Sequence, residues 1–248
     1  MCDRPFWGQW RHRSILQALP FAPIILELIL RRMYLDLHSH SVSSDDSRAT
    51  VEQYVKWVHV LRSKRGYTID GFVLTEHRKF DFDKDYSQLA AEYDVLIMKA
   101  SELDTRYGHV LVYGVNEGLA KDIDLGDVKM DARELMKAAR HHGAIAVPAH
   151  PGRFGIGLVD YMEQGEAFPD LHIVERVNGG SRAGENERAD ALCQEHNFLG
   201  TGGSDAHLAS HLGSCVTSFP TEVRDERQLV EALLAGDFTP VWLKDTNP

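Results

Sequence analysis

Histidines and carboxylates recur along this chain wherever an apolar run gives out. They are His38 and His40, His77, Glu102 with His109, His150, and Asp205 with His207. Imidazole nitrogens and carboxylate oxygens are the lone-pair donors that divalent cations take, provided several converge from different directions. A sheet or barrel that brings its strand ends to one rim supplies that convergence, and loops on such a rim are where catalytic groups collect.

One pair alone proves little. With 13 histidines in 248 residues, about 0.7 His-x-His pairs arise by chance. Context adds weight, since residues i and i+2 of a strand point to one side, so His38 and His40 address the same space. Asp36 shares that side, and Asp45 and Asp46 follow in a polar Ser-Ser-Asp-Asp-Ser loop. His77 closes Gly71-Phe-Val-Leu-Thr-Glu-His. Glu102 closes another apolar run, where a carboxylate is costly unless paired or metal-bound. His109 begins His-Val-Leu-Val-Tyr-Gly, His150 ends Ile-Ala-Val-Pro-Ala-His, and Asp205 and His207 follow the turn Gly202-Gly203-Ser204. The repetition of one placement is the signal. His141, His142 and His196 end helices, where positive charge suits the dipole. His211, His12, His59 and His172 have no comparable setting.

These residues need strands to deliver them, and the pattern supplies strands. Short apolar runs at 34–37, 71–74, 95–100, 109–113, 144–148, 171–177, 198–201 and 215–219 alternate with helical stripes. The stripes fall at 50–63, 86–93, 131–142, 158–164, 185–196 and 226–235. Val51, Tyr54, Val55, Val58 and Leu61 mark the first helix, and Asp131 can cap the third, which Gly143 ends. Such alternation predicts parallel strands with outer helices. A closed, irregular α/β barrel suits donors from nearly every strand end better than an open sheet. No Walker or G-x-G-x-x-G loop is present.

A chain of this length, 43% hydrophobic and 26% charged, is one large globular domain. Its net charge of −10 disfavours nucleic acid and anionic membranes, although metal ions invert the charge of a pocket. Cys2, Cys193 and Cys215 are few and far apart, which points to a reducing cytoplasm. The apolar stretch 15–30 lies between basic pairs but is broken by Pro20, Pro23 and Glu27, and is too short to span a membrane comfortably. Residues 1–32 are read as an extension ahead of a domain at 33–248, with Met33 its natural start. Oligomeric state is not legible.

The ordered set His-Ser-His-(x)4-Asp-Asp, Leu-Thr-Glu-His, Ser-Glu-Leu-Asp with its downstream His, Ala-His-Pro-Gly-Arg and Gly-Gly-Ser-Asp-Ala-His resembles the PHP (polymerase and histidinol phosphatase) family. The match runs from Met33 to about Leu243. That resemblance implies a distorted (βα)7 TIM-like barrel with a multinuclear metal centre at the C-terminal strand ends. It implies one ion on His38, His40, Glu102 and Asp205, a second on Glu102, His109 and His150, and a third on His77, His207 and either Asp45 or Asp46, with Asp46 favoured. Glu76 stands where the family commonly has aspartate. The ions, two or three of zinc, manganese or iron, would activate water against a phosphoester of a small metabolite or nucleotide. Glu102 and Asp205 are then the central carboxylates. Arg153 would hold the phosphate, with Arg182 a weaker candidate of the same type, while Glu175 and Asn178 would line the pocket. The alternatives are a 3′–5′ exonuclease and a non-catalytic metal-binding regulator.

Overall fold

The computed structural model describes residues 32–246, so the expected extension lies outside the described residues except for Arg32. Nine strands follow in order: β1 (Met33–Ser39), β2 (Gly71–His77), β3 (Leu96–Thr105), β4 (Gly108–Tyr113), β5 (Ile145–Pro148), β6 (Ile173–Asn178), β7 (Leu199–Gly203), β8 (Cys215–Phe219) and β9 (Thr239–Trp242). The helices between them are α1 (Val51–Arg65), α2 (Ser87–Tyr93), α3 (Glu117–Asp122), α4 (Ala132–His141), α5 (Leu158–Glu163), α6 (Glu185–His196) and α7 (Glu226–Ala235).

Seven strands form one mixed sheet, in the order β5-β4-β3-β2-β1-β8-β9, and β6 pairs with β7 separately. Parallel pairing, expected throughout, holds only for β1–β2, β2–β3 and β6–β7. β3 runs on to Thr105 and turns through Arg106 and Tyr107 into β4, making an antiparallel hairpin. Gly108 at that corner has φ +98, a conformation that glycine adopts without strain. β8 is antiparallel to both β1 and β9. The hydrogen-bonded ring expected of a barrel is therefore incomplete. Only a single bridge, Ser39 to Ala206, joins the smaller pair to the sheet among the described residues.

The sheet nonetheless curls about one core. Leu35, Leu37, Val73, Met98, Leu111, Tyr113, Val147, Ile173 and Phe219, from seven different strands, pack as one buried cluster. Two further clusters lie outside it. Tyr54, Val55, Val58 and Leu61 of α1 cover Phe72 and Leu74, and Leu135, Met136 and Ala139 of α4 cover Val110 and Val112.

Local chemistry fixes the helix ends. Thr50 and Gln53 form a reciprocal capping box at α1, and Gly66 closes that helix at φ 69. Asp131 caps α4 through the Arg133 N–H at 2.9 Å. Helix α3 and strand β9 are absent from the sequence expectation, α3 being a turn and a half and β9 four residues. No described helix is long and apolar enough to cross a membrane.

Candidate metal centre

Six elements deliver the donors. β1 ends at His38-Ser39 with His40 beyond it, β2 ends at His77, and β3 carries Glu102 level with His77. His109 opens β4, His150 follows β5, and Asp205 and His207 follow β7. Close approach of β7 to β1 sets the first and last of these side by side. A Cβ on Gly203 would lie 2.4 Å from Cβ of His38, so only glycine permits it.

Glu102 sits at the middle, 1% exposed. Its Oε2 lies 3.1 Å from Nε2 of both His38 and His40 and 3.4 Å from Nδ1 of His77. Its Oε1 lies 3.0 Å from Nδ1 of His109 and from Nε2 of His150. One oxygen of Asp205 is 3.4 Å from each of the His38 and His40 nitrogens. Nε2 of His38 and of His40 face each other at 3.0 Å, two ring nitrogens that cannot both present protons to one another.

Asp45 and Asp46 diverge. Asp46 Oδ2 is 3.3 Å from His77 Nε2 and 3.2 Å from His207 Nε2, while Asp45 turns outward to Arg78 at 3.0 Å. The structure thus brings together every expected donor except Asp45. Three sets of donor atoms lie within 4.8 Å of one another: His38, His40, Glu102 and Asp205; Glu102, His109 and His150; and His40, His77 and His207.

The donor set fits a metal ion on its own geometry. Ligands about 2.0–2.2 Å from a tetrahedral ion are roughly 3.3–3.6 Å from each other, close to the 3.0–3.4 Å among His38, His40, Glu102 and Asp205. The buried Nδ1 atoms of His77 and His150 have no hydrogen-bond partner, a deficit that a cation or water relieves.

Taken by themselves, the donors shift one another's charge. Burial opposes charge on Glu102, yet His38, His109 and His150 hold it well below the ordinary carboxylate range. Burial opposes charge on Asp205 too, and His38 and His40 overcome it in the same direction. Burial also works against a charged His38, but Glu175, Asp205 and Glu102 raise its pKa well above the usual value. For His40, burial is outweighed by Asp205 and Glu102, and its pKa stands at about 9. His77 is lowered, mainly by burial.

A second layer supports these donors. Glu175 is buried, lies 2.9 Å from Nδ1 of His38 and accepts the His150 N–H at 2.7 Å. Asn178 donates to it at 2.9 Å. Arg153 donates to Asp205 Oδ2 at 2.7 Å and to Asn178. Asp36 accepts the N–H groups of His38, Ser204 and Gly213, and burial raises its pKa to about 6. Glu76 accepts from the Ser41 and Ser44 hydroxyls, bracing the loop with Asp45 and Asp46. Its support of this loop, and the Asp104 carboxylate beside His109, were missed in the sequence; adjacency to His77 and Glu102 was the available signal. Arg182 and His211 are exposed. His142 bonds Asp122 far from these groups.

The fold has counterparts among solved structures. Residues 183–238 match the family model described as PHP-associated. The fold is similar to that of PsfC from Pseudomonas syringae, with a TM-score of 0.62 and 20% identity over 86% of this chain and 92% of that one. It is similar to a two-domain protein from Bacteroides vulgatus containing a predicted PHP-like metal-dependent phosphoesterase, at a TM-score of 0.56, 20% identity, 86% and 65% coverage. The fold is one that PHP-like structures share. It is also similar to that of endonuclease Q, solved with a duplex bearing an abasic lesion, at a TM-score of 0.62 and 14% identity, covering 84% of this chain but 58% of that one. No curated protein matches the sequence.

Proposed function

We propose that this PHP-type domain hydrolyses a phosphoester of a small phosphorylated metabolite or nucleotide at a centre of two or three divalent ions. The observation that carries the reading is the gathering of five imidazoles within 3.4 Å of the buried carboxylate of Glu102. His38, His40, Glu102 and Asp205 would hold one ion, Glu102, His109 and His150 a second, and His77, His207 and Asp46 a third. The centre would then sit on the rim where β1, β2, β5 and β7 end and the antiparallel β4 begins. Mixed nitrogen and oxygen donors suit zinc, manganese or iron. Ions held there lower the pKa of water and neutralise phosphoryl oxygens.

The protein's own groups do the orienting. Glu175 takes the Nδ1 proton of His38, which leaves Nε2 its lone pair for the centre. Arg153 holds one oxygen of Asp205, so the other faces His38 and His40. Near-planar and only partly buried, the same guanidinium is placed to take up the non-transferring oxygens of an ester. Free, buried Cys193 and Cys215 suit a reducing cytoplasm.

Elemental analysis joined to a panel of phosphoesters tests this. Chelated protein is expected to lose ester hydrolysis and to regain it with manganese or zinc. His38→Ala and Asp205→Ala should each lose about 100-fold or more, since even changes to groups behind metal ligands cost 10–100-fold. Hydrolysis at the parent rate by metal-free protein would overturn the proposal, and bound metal without cleavage of any ester would favour a non-catalytic regulator. Similarity in fold to endonuclease Q favours a second reading, a nucleic-acid phosphodiester as substrate. The net charge of −10 opposes it, and it requires salt-sensitive binding of DNA.

A further inference from the structure

Five described residues other than glycine have left-handed backbones: Arg78, Asp94, His150, Asn197 and Asp205. Asp94 and Asn197 end helices, where Asn and Asp tolerate that conformation. The other three directly follow, or lie within two residues of, the ends of β2, β5 and β7, around one site. His150 and Asp205 are donors there. Arg78, at φ 54, is the remaining one, and a bulky side chain has no intrinsic preference for such a backbone. Strain of this kind persists where the surroundings impose it, and it clusters at functional sites.

The contacts of Arg78 say what imposes it. Its backbone N–H donates to the Glu102 backbone carbonyl at 2.9 Å, which ties the end of β2 to the β3 backbone at that residue. Its guanidinium donates to Asp104 Oδ2 at 3.1 Å and to Asp45 Oδ2 at 3.0 Å. Asp104 is on β3, two residues after Glu102, while Asp45 is on the loop after β1. The arginine therefore fastens that loop to the sheet beside the metal centre. The next residue, Asp46, is the one that reaches His77 and His207.

We propose that Arg78 is a positioning residue: by gripping Asp45 it holds the first loop so that Asp46 is presented as a metal ligand. The inference rests on the reading of His77, His207 and Asp46 as an ion site. Adjacent aspartates thus divide the work, one as tether and one as donor. The left-handed backbone at Arg78 is the cost of aiming the guanidinium across the mouth.

The test uses the full chain and titrates manganese into chelated protein by calorimetry, with melting temperature alongside. Asp46→Asn should weaken or abolish the weakest ion and leave the others. Arg78→Gly and Asp45→Asn should weaken the same ion about 2- to 5-fold, as loss of a solvent-exposed ion pair does. The double variant should lose no more than Arg78→Gly alone, which already removes the Asp45 linkage. Glycine relieves the backbone, so Arg78→Gly should melt at or above the parent temperature; an arginine serving only the fold would lower it. Unchanged manganese binding in Arg78→Gly and Asp45→Asn, with Asp46→Asn still defective, would overturn the tether alone. Unchanged binding in Asp46→Asn would remove the ion site, and the tether with it.

Discussion

Glu175 illustrates how much of this centre is decided by groups that would never touch an ion. Its carboxylate lies against Nδ1 of His38 and accepts the backbone N–H of His150, so it sets a tautomer on one donor and the loop position of another. Glu175→Gln keeps an acceptor for one of these bonds and gives up the charge. We expect metal affinity to fall about 10-fold in Glu175→Gln and towards 100-fold in Glu175→Ala, measured by competition with a chromophoric chelator. His38 and His40 were legible because strand spacing alone puts both rings on one side. Glu102 was legible because a carboxylate closing an apolar run needs a partner. The division between Asp45 and Asp46 was not, because it depends on Arg78, whose side chain meets Asp45 only once two loops have come together.

At the scale of elements, most helices and strands could be read from apolar periodicity, and their pairing could not. The run 95–100 and the run 109–113 look like independent strands, but β3 continues through Ser101-Glu-Leu-Asp-Thr105 and folds back within two residues. Glu102 and Asp104 there face the donor cluster, and their polarity disguises the strand as a connection. That hairpin also brings His109 onto Glu102. Helix α4 follows its sequence signals closely. The Arg133 side chain, followed by the Arg133 backbone N–H, pulls the Asp131 carboxyl down from 3.8 to about 2. Because the folded pKa is depressed, the ionised cap contributes stability above about pH 4, and the contribution fades as pH falls through 2. Asp131→Ala should cost about 1 kcal/mol at pH 7. In urea titrations the gap between parent and variant should shrink over that acid window.

For the whole molecule, the described domain gathers its curled sheet, three clusters of apolar side chains and all nine donors within residues 32–246. Arg32 bonds Ser218, a part-buried contact of modest worth. A chain beginning at Met33 is therefore expected to fold cooperatively and bind as many metal ions as the full protein, checked by circular dichroism and elemental analysis. Fewer ions in the shortened chain would assign the first 32 residues a part in the centre.

Glu102 gives one oxygen to the His38 and His40 side and the other to the His109 and His150 side. Two cations that shared the Glu102 carboxylate would not load independently. The first to arrive spends much of the attraction available to the second and repels it, so occupancy should be stepwise, with the two affinities spread apart. Linkage makes the penalty identical whichever side fills first. In metal-poor conditions such a domain would carry one ion firmly and wait for the other, so that its working form tracks how much metal surrounds it.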